Sequence, residues 1–247
     1  MQAVLYVCHG SRVAKACEEA NSFIERCKIK VPCPIQEICF IEHAEPNIKA
    51  GIDRCVQKGA THIIVLPVLL LAAGHAKFDI PNAIQKAKQR YPHLKFAVSD
   101  PFGVNGKMID ILMERITEQA IPIDNRSMVL LVGRGSSDPD TKRDMEAIAK
   151  RLQQKANIPA VDVCFLAAAQ PSLADSLQKA SDSSYETIFI VPYLLFTGIL
   201  MKKIEAQLRA LPKSKHQWIL CRYLGYHPLL EELVQEKVNQ QIVTQKG

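Results

Sequence analysis

The feature that most constrains the fold is an internal repeat, in which similar segments recur 125 residues apart. The first copies are AVLYVCHGSR (3–12), ICFIEHAEP (38–46) and IIVLPVLLLAAGHAK (63–77), and the second copies are MVLLVGRGSS (128–137), VCFLAAAQP (163–171) and IFIVPYLLFTGILMK (188–202). Chance similarity would scatter the spacings, whereas three separate blocks agree on one. The chain of 247 residues is therefore an internal duplication.

The repeat predicts two domains, 1–122 and 123–247, with a short linker near Pro122. A later pair of segments, 101–112 and 223–234, matches at a spacing of 122, which indicates a small deletion in the second copy. Each half has a length that suits one compact domain.

Each half alternates apolar, β-rich runs with helical patterns. The predicted strands are Ala3–Cys8, Ile35–Ile41, His62–Val68, Lys95–Ser99, Met128–Val132, Val161–Leu166, Thr187–Tyr193 and Trp218–Tyr223. The predicted helices of the first half are Val13–Lys28, Pro46–Lys58, Lys77–Arg90 and Gly106–Gln119. Because the strands are almost continuously apolar, they are expected to be parallel and covered on both faces. The predicted fold class is α/β, with a doubly wound parallel sheet in each domain.

Composition and charge exclude several function classes. Hydrophobic residues make up 48% of the chain and charged residues 23%, and the net charge of +6 is dispersed. No run of basic residues indicates nucleic-acid binding, and no signal peptide or membrane span is visible, so we expect a cytoplasmic protein. None of the eight cysteines forms a CxxC pair, so neither a zinc ribbon nor an iron–sulfur cluster is expected.

Three titratable side chains follow three different predicted strands. His9 follows the first strand, Glu42 the second, and His75 lies in the loop after the third. Ligands of open α/β sheets bind beyond the carboxyl ends of the strands, so the three side chains are expected to meet there. Two imidazoles and a carboxylate suit a divalent metal such as Fe, Co, Ni or Zn.

The second copy of the repeat is an internal control for this site. Its positions that correspond to His9, Glu42 and His75 are occupied by Arg134, Ala167 and Leu200. The polar groups disappear together while the flanking apolar segments remain, which favours one shared role in the first half. His43 and Glu45 are rivals of Glu42, although Glu45 better fits the start of the helix that follows.

Several further residues are candidates for contact with an anionic or flat apolar ligand. The turns HGSR and GRGSSDPD expose backbone N–H groups that suit anions, although tight turns before capped helices explain them equally well. The apolar segment after the third strand leaves room for a flat ligand, although a buried strand end explains it too. The candidate substrate-binding residues are Ser11, Arg12, Leu70, Leu71, Ala72, Ala73, Gly74, Arg134, Ser136 and Ser137.

These residues resemble those of a known family. HGSR at 9–12, Glu42 after Phe40-Ile41, and VLPVLLLAAGHAKFDIP at 65–81 resemble the class II tetrapyrrole chelatases. The resemblance covers nearly the whole chain, and it extends most fully to the two-domain sirohydrochlorin chelatases, including the ferrochelatase of sirohaem synthesis. The pattern PxxLxxxGH followed by DIP is the more specific signal, whereas HGS alone is common.

The resemblance implies two similar α/β domains that face each other across a cleft and bind a carboxylate-rich macrocycle. It implies that His9 and His75 are the paired histidines at the metal, that Glu42 joins them, and that the segment 70–74 lines the macrocycle. The divalent metal would then be a substrate, with no permanently bound cofactor and no iron–sulfur cluster, and the protein is expected to be a monomer.

The function that the resemblance implies is insertion of Fe²⁺ into sirohydrochlorin to form sirohaem. One alternative is insertion of Co²⁺ for cobalamin synthesis, and another is a carrier that binds metal or tetrapyrrole without turnover. Phosphoryl transfer by a nucleophilic histidine is a weaker rival, because an Arg is expected beside such a histidine and Cys8 stands there.

Overall fold

The computed structural model describes residues 1–212 and 216–244. The elements of the first repeat are β1 (Gln2–Cys8), α1 (Ala14–Lys30), β2 (Ile35–Phe40), α2 (Ile48–Gln57), β3 (His62–Val68), a π-helical turn (His75–Asp79), α3 (Ile80–Arg90), β4 (Lys95–Val98) and α4 (Gly106–Thr117). Those of the second are β5 (Ser127–Gly133), α5 (Pro139–Ala156), β6 (Ala160–Phe165), α6 (Leu173–Ser181), β7 (Thr187–Pro192), α7 (Ile199–Arg209), β8 (Gln217–Leu220) and α8 (Pro228–Thr244).

Two parallel four-stranded sheets form the frame, with strand orders β2-β1-β3-β4 and β6-β5-β7-β8. The predicted α/β class with two similar doubly wound domains is confirmed. In the first sheet Cys8 pairs with Phe40 on one side and with Val68 on the other, so β1, β2 and β3 end level. The residues that follow these three strands therefore share one edge of the sheet. At this edge the loops that leave neighbouring strands run to opposite sides of β1, which is where ligands of such sheets bind.

Burial explains why the strand segments are so apolar. Six of the seven residues of β1 and of β3 are buried, and all seven of β5 are buried. Each sheet has its own apolar core, one built around Leu5 and Val65 and the other around Leu130 and Ile190. Among the described residues, none of the helices has both the length and the apolarity that crossing a bilayer requires.

The compact units do not coincide with the predicted domains 1–122 and 123–247. One unit comprises residues 1–103 together with the chain from Pro228 onward, and the other comprises Val104–His227. Helix α4 packs on α5 and β7, whereas α8 packs on α1 and β3. The last helix of each sequence repeat thus belongs to the unit built on the other repeat. Sequence similarity records the order of the duplicated elements, but it does not specify the sheet against which a terminal helix packs.

Buried ion pairs and hydrogen bonds hold both exchanged helices in place. In α8 the carboxylate of Glu231 is 4% exposed and lies 2.6 Å from Arg26 Nε and 2.7 Å from Lys30 Nζ of α1. In α4 the guanidinium of Arg115 is 2% exposed and donates to the carbonyls of Tyr223 and Leu224. The buried charge on each helix is therefore satisfied by partners in the same compact unit.

Some predicted boundaries shift for local physical reasons. The helix predicted from Pro46 begins at Ile48, because the Asn47 side chain caps it by accepting from the Ala50 N–H at 3.0 Å. The single helix predicted for Lys77–Arg90 is divided into the π-helical turn His75–Asp79 and α3. The second helical position of α3 is Pro81, which has no N–H to continue a regular α-helical ladder backward.

Candidate metal centre

Three strand ends carry the three predicted ligands to one place. The Ile41 N–H donates to the Cys8 carbonyl at 2.9 Å, and the Glu42 N–H donates to the His9 carbonyl at 3.1 Å. These bonds extend the pairing of β1 with β2 beyond the strands themselves. His75 opens the π-helical turn that follows β3, the neighbour of β1 on its other side.

Gly10 permits the close approach of the loops that carry His9 and Glu42. Its φ of +91° lies in the left-handed region, and a Cβ atom built on it would lie 1.7 Å from the Glu42 carbonyl oxygen. A side chain at this position would meet backbone atoms that cannot move independently of the sheet. A glycine is therefore required for this arrangement of the metal-site loops.

The side chains of His9, Glu42 and His75 converge. Each contributes one ligand atom to a group in which all three atoms lie within 4.8 Å of one another. Glu42 Oε1 is 3.6 Å from His9 Nδ1 and 4.0 Å from His75 Nε2, and the two imidazole rings are 4.7 Å apart at 90°. Each of the three side chains is about one-third exposed, so an ion can reach them from solvent.

These separations suit a shared cation better than direct hydrogen bonds. The distances from Glu42 Oε1 to the two imidazoles exceed the usual N–H···O range. Two ligands about 2.1 Å from a tetrahedral metal lie about 3.4 Å apart, close to the separations found here. Glu42 and each imidazole are thus near the spacing that a shared divalent metal requires, and the three ligand atoms together lie within 4.8 Å of one another.

The rival residues near Glu42 take other positions. His43 Nε2 lies 3.5 Å from Glu42 Oε2, the carboxylate oxygen that does not face His9 and His75. Glu45 accepts from the Asn47 backbone N–H at 2.7 Å, so it serves the start of α2 as its position in the sequence suggests. Neither residue belongs to the group of three converging ligand atoms.

The thiol of Cys8 is not available to the cluster. Cys8 is the last residue of β1, is 1% exposed, and faces the interior as its place in the strand predicts. Burial raises the pKa of the Cys8 thiol well above its usual value, and the neighbouring Cys27 and Cys17 raise it further. The thiol stays protonated and is a poor metal ligand, which leaves a nitrogen and oxygen donor set.

The segment after β3 forms a partly open rim beside His75. Leu69 is buried, whereas the five predicted contact residues are half-buried; they are Leu70, Leu71, Ala72, Ala73 and Gly74. A Cβ atom built on Gly74 meets nothing within 4 Å, so there is open space above its backbone. Phe78, which the sequence analysis did not single out, is 63% exposed in the π-helical turn. The rim thus offers apolar and small residues to a ligand.

The other predicted substrate contacts lie in the turns after β1 and β5. Ser11 Oγ accepts from the Val13 N–H, and Ser136 Oγ accepts from the Asp138 N–H, each at 3.1 Å. Both hydroxyls therefore stabilise tight turns, one of the two interpretations that the sequence left open. The side chains with substantial exposure are those of Arg12, Arg134 and Ser137.

The second unit has the same loop backbone without the ligands. The Ala167 N–H donates to the Arg134 carbonyl at 2.9 Å, as Glu42 does to His9. Gly135 has a φ of +89°, and its Cβ would lie 1.8 Å from the Ala167 carbonyl oxygen. Because this loop forms without any of the three polar side chains, their presence in the first unit is not needed to build the loop.

Asp79 is a polar neighbour of the cluster that the sequence analysis missed. Its Oδ2 lies 2.7 Å from Nδ1 of His75, four residues earlier. The signals available in the sequence were this spacing and the replacement of Asp79 by Ile204 in the second repeat. The interaction was hidden because a regular helix was expected to begin at Lys77.

The chain resembles known proteins both as a family and as individual relatives. The CbiX family model matches residues 3–119 and 128–241. The sirohydrochlorin ferrochelatase of Priestia megaterium is 49% identical over 247 residues, covering 100% of this chain and 92% of that protein. The sirohydrochlorin cobaltochelatase of the same organism is 35% identical, covering 97% of this chain and 80% of that protein.

A solved structure shares the architecture over its full length. SirB from Bacillus subtilis with Fe³⁺ superposes with a TM-score of 0.91 at 42% sequence identity. The match covers 100% of this chain and 97% of that one.

Proposed function

The chain belongs to the CbiX family, and we propose that it is a chelatase that inserts a divalent metal, foremost Fe²⁺, into sirohydrochlorin. The observation that carries the proposal is the convergence of His9, Glu42 and His75 within 4.8 Å at one edge of the first sheet. The full-length relative at 49% identity, named a sirohydrochlorin ferrochelatase, supports the choice of substrate and metal.

The three side chains divide the work of metal insertion. His9 and His75 bind the incoming metal as neutral imidazoles and replace part of its water shell. Glu42 offsets one positive charge of the ion, and its Oε1 atom lies within 4.0 Å of a nitrogen of each ring. A site of this kind holds the metal firmly enough to dehydrate it but leaves coordination positions open for the pyrrole nitrogens.

Insertion releases two protons from the pyrrole nitrogens as the metal forms its bonds to them. An imidazole accepts protons near neutral pH, and we assign the first acceptance to His9. As the metal passes to the macrocycle, the His9 nitrogen that it leaves regains a lone pair at the reacting centre. Glu42 then takes this proton from His9 and passes it to solvent through its partly exposed carboxylate, so that the freed His9 nitrogen accepts the second pyrrole proton.

The macrocycle is proposed to lie against the rim formed by residues 70–74. This segment is half-buried, and Gly74 leaves open space above its backbone. Arg12 is exposed, follows His9 by three residues, and is assigned to a peripheral carboxylate of the substrate. Arg134, Ser136 and Ser137 stay predicted substrate contacts on the second unit.

The test is an absorbance time course of sirohydrochlorin in excess over protein, with Fe²⁺ or Co²⁺. We expect multiple turnovers with Fe²⁺, and a loss of at least about 100-fold in rate for His9→Ala and for His75→Ala. His93→Ala, at an exposed histidine outside the cluster, is the matched control and should retain full activity.

The outcomes separate the competing functions. Wild-type rates in both cluster variants would end the proposal. Conversion that stops at one macrocycle per protein would indicate the carrier function. Faster insertion of Co²⁺ than of Fe²⁺ would favour a cobaltochelatase, the name of the relative at 35% identity.

A further inference from the structure

The two nitrogens of the His75 ring face different partners. Nδ1 lies 2.7 Å from Asp79 Oδ2, whereas Nε2 lies 4.0 Å from Glu42 Oε1. An ionised carboxylate only accepts hydrogen bonds, so the Nδ1 atom beside Asp79 must carry a proton. In the neutral ring Nε2 then keeps its lone pair, and this lone pair is directed to the side of the metal cluster.

The π-helical turn places Asp79 for this contact. The turn closes with the Ile80 N–H donating to the His75 carbonyl. This hydrogen bond spans five residues, one more than in a regular α-helix, so the turn from His75 to Asp79 is wider. Asp79 lies in continuous helical backbone, with φ −69° and ψ −47°, and its side chain makes no hydrogen bond to the start of α3. The carboxylate interacts with His75 instead. Single π-helical turns of this kind are frequent at functional sites.

The second repeat lacks this arrangement together with the metal ligands. The position of Asp79 is taken by Ile204, which is fully buried, and the position of His75 by Leu200. The corresponding backbone is a regular α-helix, α7, with no π-helical turn. The carboxylate and the turn therefore occur in the copy that has the histidine and are missing from the copy that has lost it.

Fold stability gives little reason for the pair. The Asp79 side chain is 54% exposed and that of His75 is 28% exposed. Ion pairs exposed to this degree, including pairs four residues apart in a helix, contribute little to stability. A carboxylate that holds the outer nitrogen of a metal-binding histidine instead raises metal affinity by fixing the ring and its tautomer.

We propose that Asp79 is a positioning residue, which holds the Nδ1 proton of His75 and so presents Nε2 to the metal. The inference rests on the proposed function and adds a residue to the site. Asp79 acts through His75 and touches neither the metal nor the macrocycle.

The experiment is a titration of the full-length protein with Co²⁺, followed by the visible absorption of the bound ion. Asp79→Asn is expected to raise the dissociation constant 10- to 100-fold, and Asp79→Glu to recover most of the affinity. Glu205→Gln is the matched control, since Glu205 is 45% exposed and pairs with Arg209 four residues later in α7. This control should bind Co²⁺ as the wild type does.

Two further readouts distinguish positioning from a structural role. The side-chain ¹H–¹⁵N spectrum of the metal-free protein should show His75 protonated at Nδ1, and Asp79→Asn should give a mixture of tautomers. With His75→Ala as background, adding Asp79→Asn should change the affinity no further, because Asp79 acts only through His75. The urea midpoint of Asp79→Asn should stay within the range of the control.

Each failure has a different meaning. Wild-type Co²⁺ affinity or an unchanged His75 tautomer in Asp79→Asn, with affinity lost in His75→Ala, would overturn the role of Asp79 alone. Wild-type affinity in His75→Ala and His9→Ala would instead refute the metal centre on which the proposed function rests.

Discussion

At the scale of single residues, Gly10 and Gly135 have the same role in equivalent loops of the two repeats. Both have a left-handed φ, and a Cβ on either would lie within 2 Å of a carbonyl oxygen, that of Glu42 or of Ala167. One glycine supports a loop with metal ligands and the other supports the same loop without them. A matched pair of substitutions can therefore separate the requirements of the fold from those of the metal site.

We expect Gly10→Ala and Gly135→Ala each to lower the free energy of unfolding by more than about 2 kcal/mol, through the left-handed φ and the clash. Only Gly10→Ala should also abolish Co²⁺ binding by the folded protein, because it displaces Glu42 from His9. Urea unfolding and Co²⁺ titration measure the two effects. Loss of Co²⁺ binding in Gly135→Ala would contradict this separation.

At the scale of elements, the carboxylate of Glu231 attaches α8 to α1. Burial by itself raises the pKa of this carboxyl, but hydrogen bonds and charge from Lys30 and Arg26 outweigh burial and lower the pKa below its usual 4.5. The lowered pKa means that the folded state binds this proton less tightly than the unfolded state does. The resulting stabilisation is complete above pH 4.5 and is lost as the pH falls through the folded-state pKa.

Glu231→Gln is expected to destabilise the protein by about 1.5–3 kcal/mol at pH 7, the usual contribution of hydrogen bonds to a charged group. The difference from wild type should shrink at pH 3, where the wild-type carboxyl is becoming protonated. Urea unfolding at both pH values measures it. Glu25→Gln is the control, because the pair of Glu25 with Lys28 is exposed and contributes less than about 1 kcal/mol. An equal destabilisation at both pH values would argue against the ion pair.

At the scale of the whole molecule, the exchange of α4 and α8 means that a sequence repeat is not a folding unit. A fragment of residues 1–122 has all the residues of the metal cluster but lacks α8, which covers α1 and β3. The same fragment carries α4, whose packing partners α5 and β7 are missing from it. Apolar surface would be exposed in both places.

We therefore expect the fragment 1–122 to unfold without a cooperative transition, whereas residues 1–103 joined to 228–247 by a flexible linker should unfold cooperatively and bind Co²⁺. Circular dichroism during urea unfolding, with Co²⁺ titration, compares the two. Cooperative unfolding of the fragment 1–122 would show that α8 is dispensable and that the repeat boundary is the folding boundary.

The sequence predicted the layered architecture well, because the apolar strand runs and the repeat spacing are local patterns. The prediction for β3, His62–Val68, agrees with the structure to the residue, and β1 and β2 differ by one residue at an end. The same patterns placed His9, Glu42 and His75 after adjacent strands, and the structure brings them together. Parallel strands that end level leave little freedom in where the following residues lie.

By itself the sequence determined which elements form, in what order, and which side chains follow the strand ends. Only the tertiary structure decided that α8 packs on α1, that the backbone forms a π-helical turn at His75, and that Asp79 contacts the Nδ1 atom of this histidine. The formation of strands depends on neighbours along the chain. The packing of α8 on α1 instead depends on groups that are distant in the sequence, and the contact of Asp79 with His75 depends on a departure from regular helical geometry. For this reason the repeat predicted the two sheets but did not predict that α4 and α8 are exchanged between the compact units.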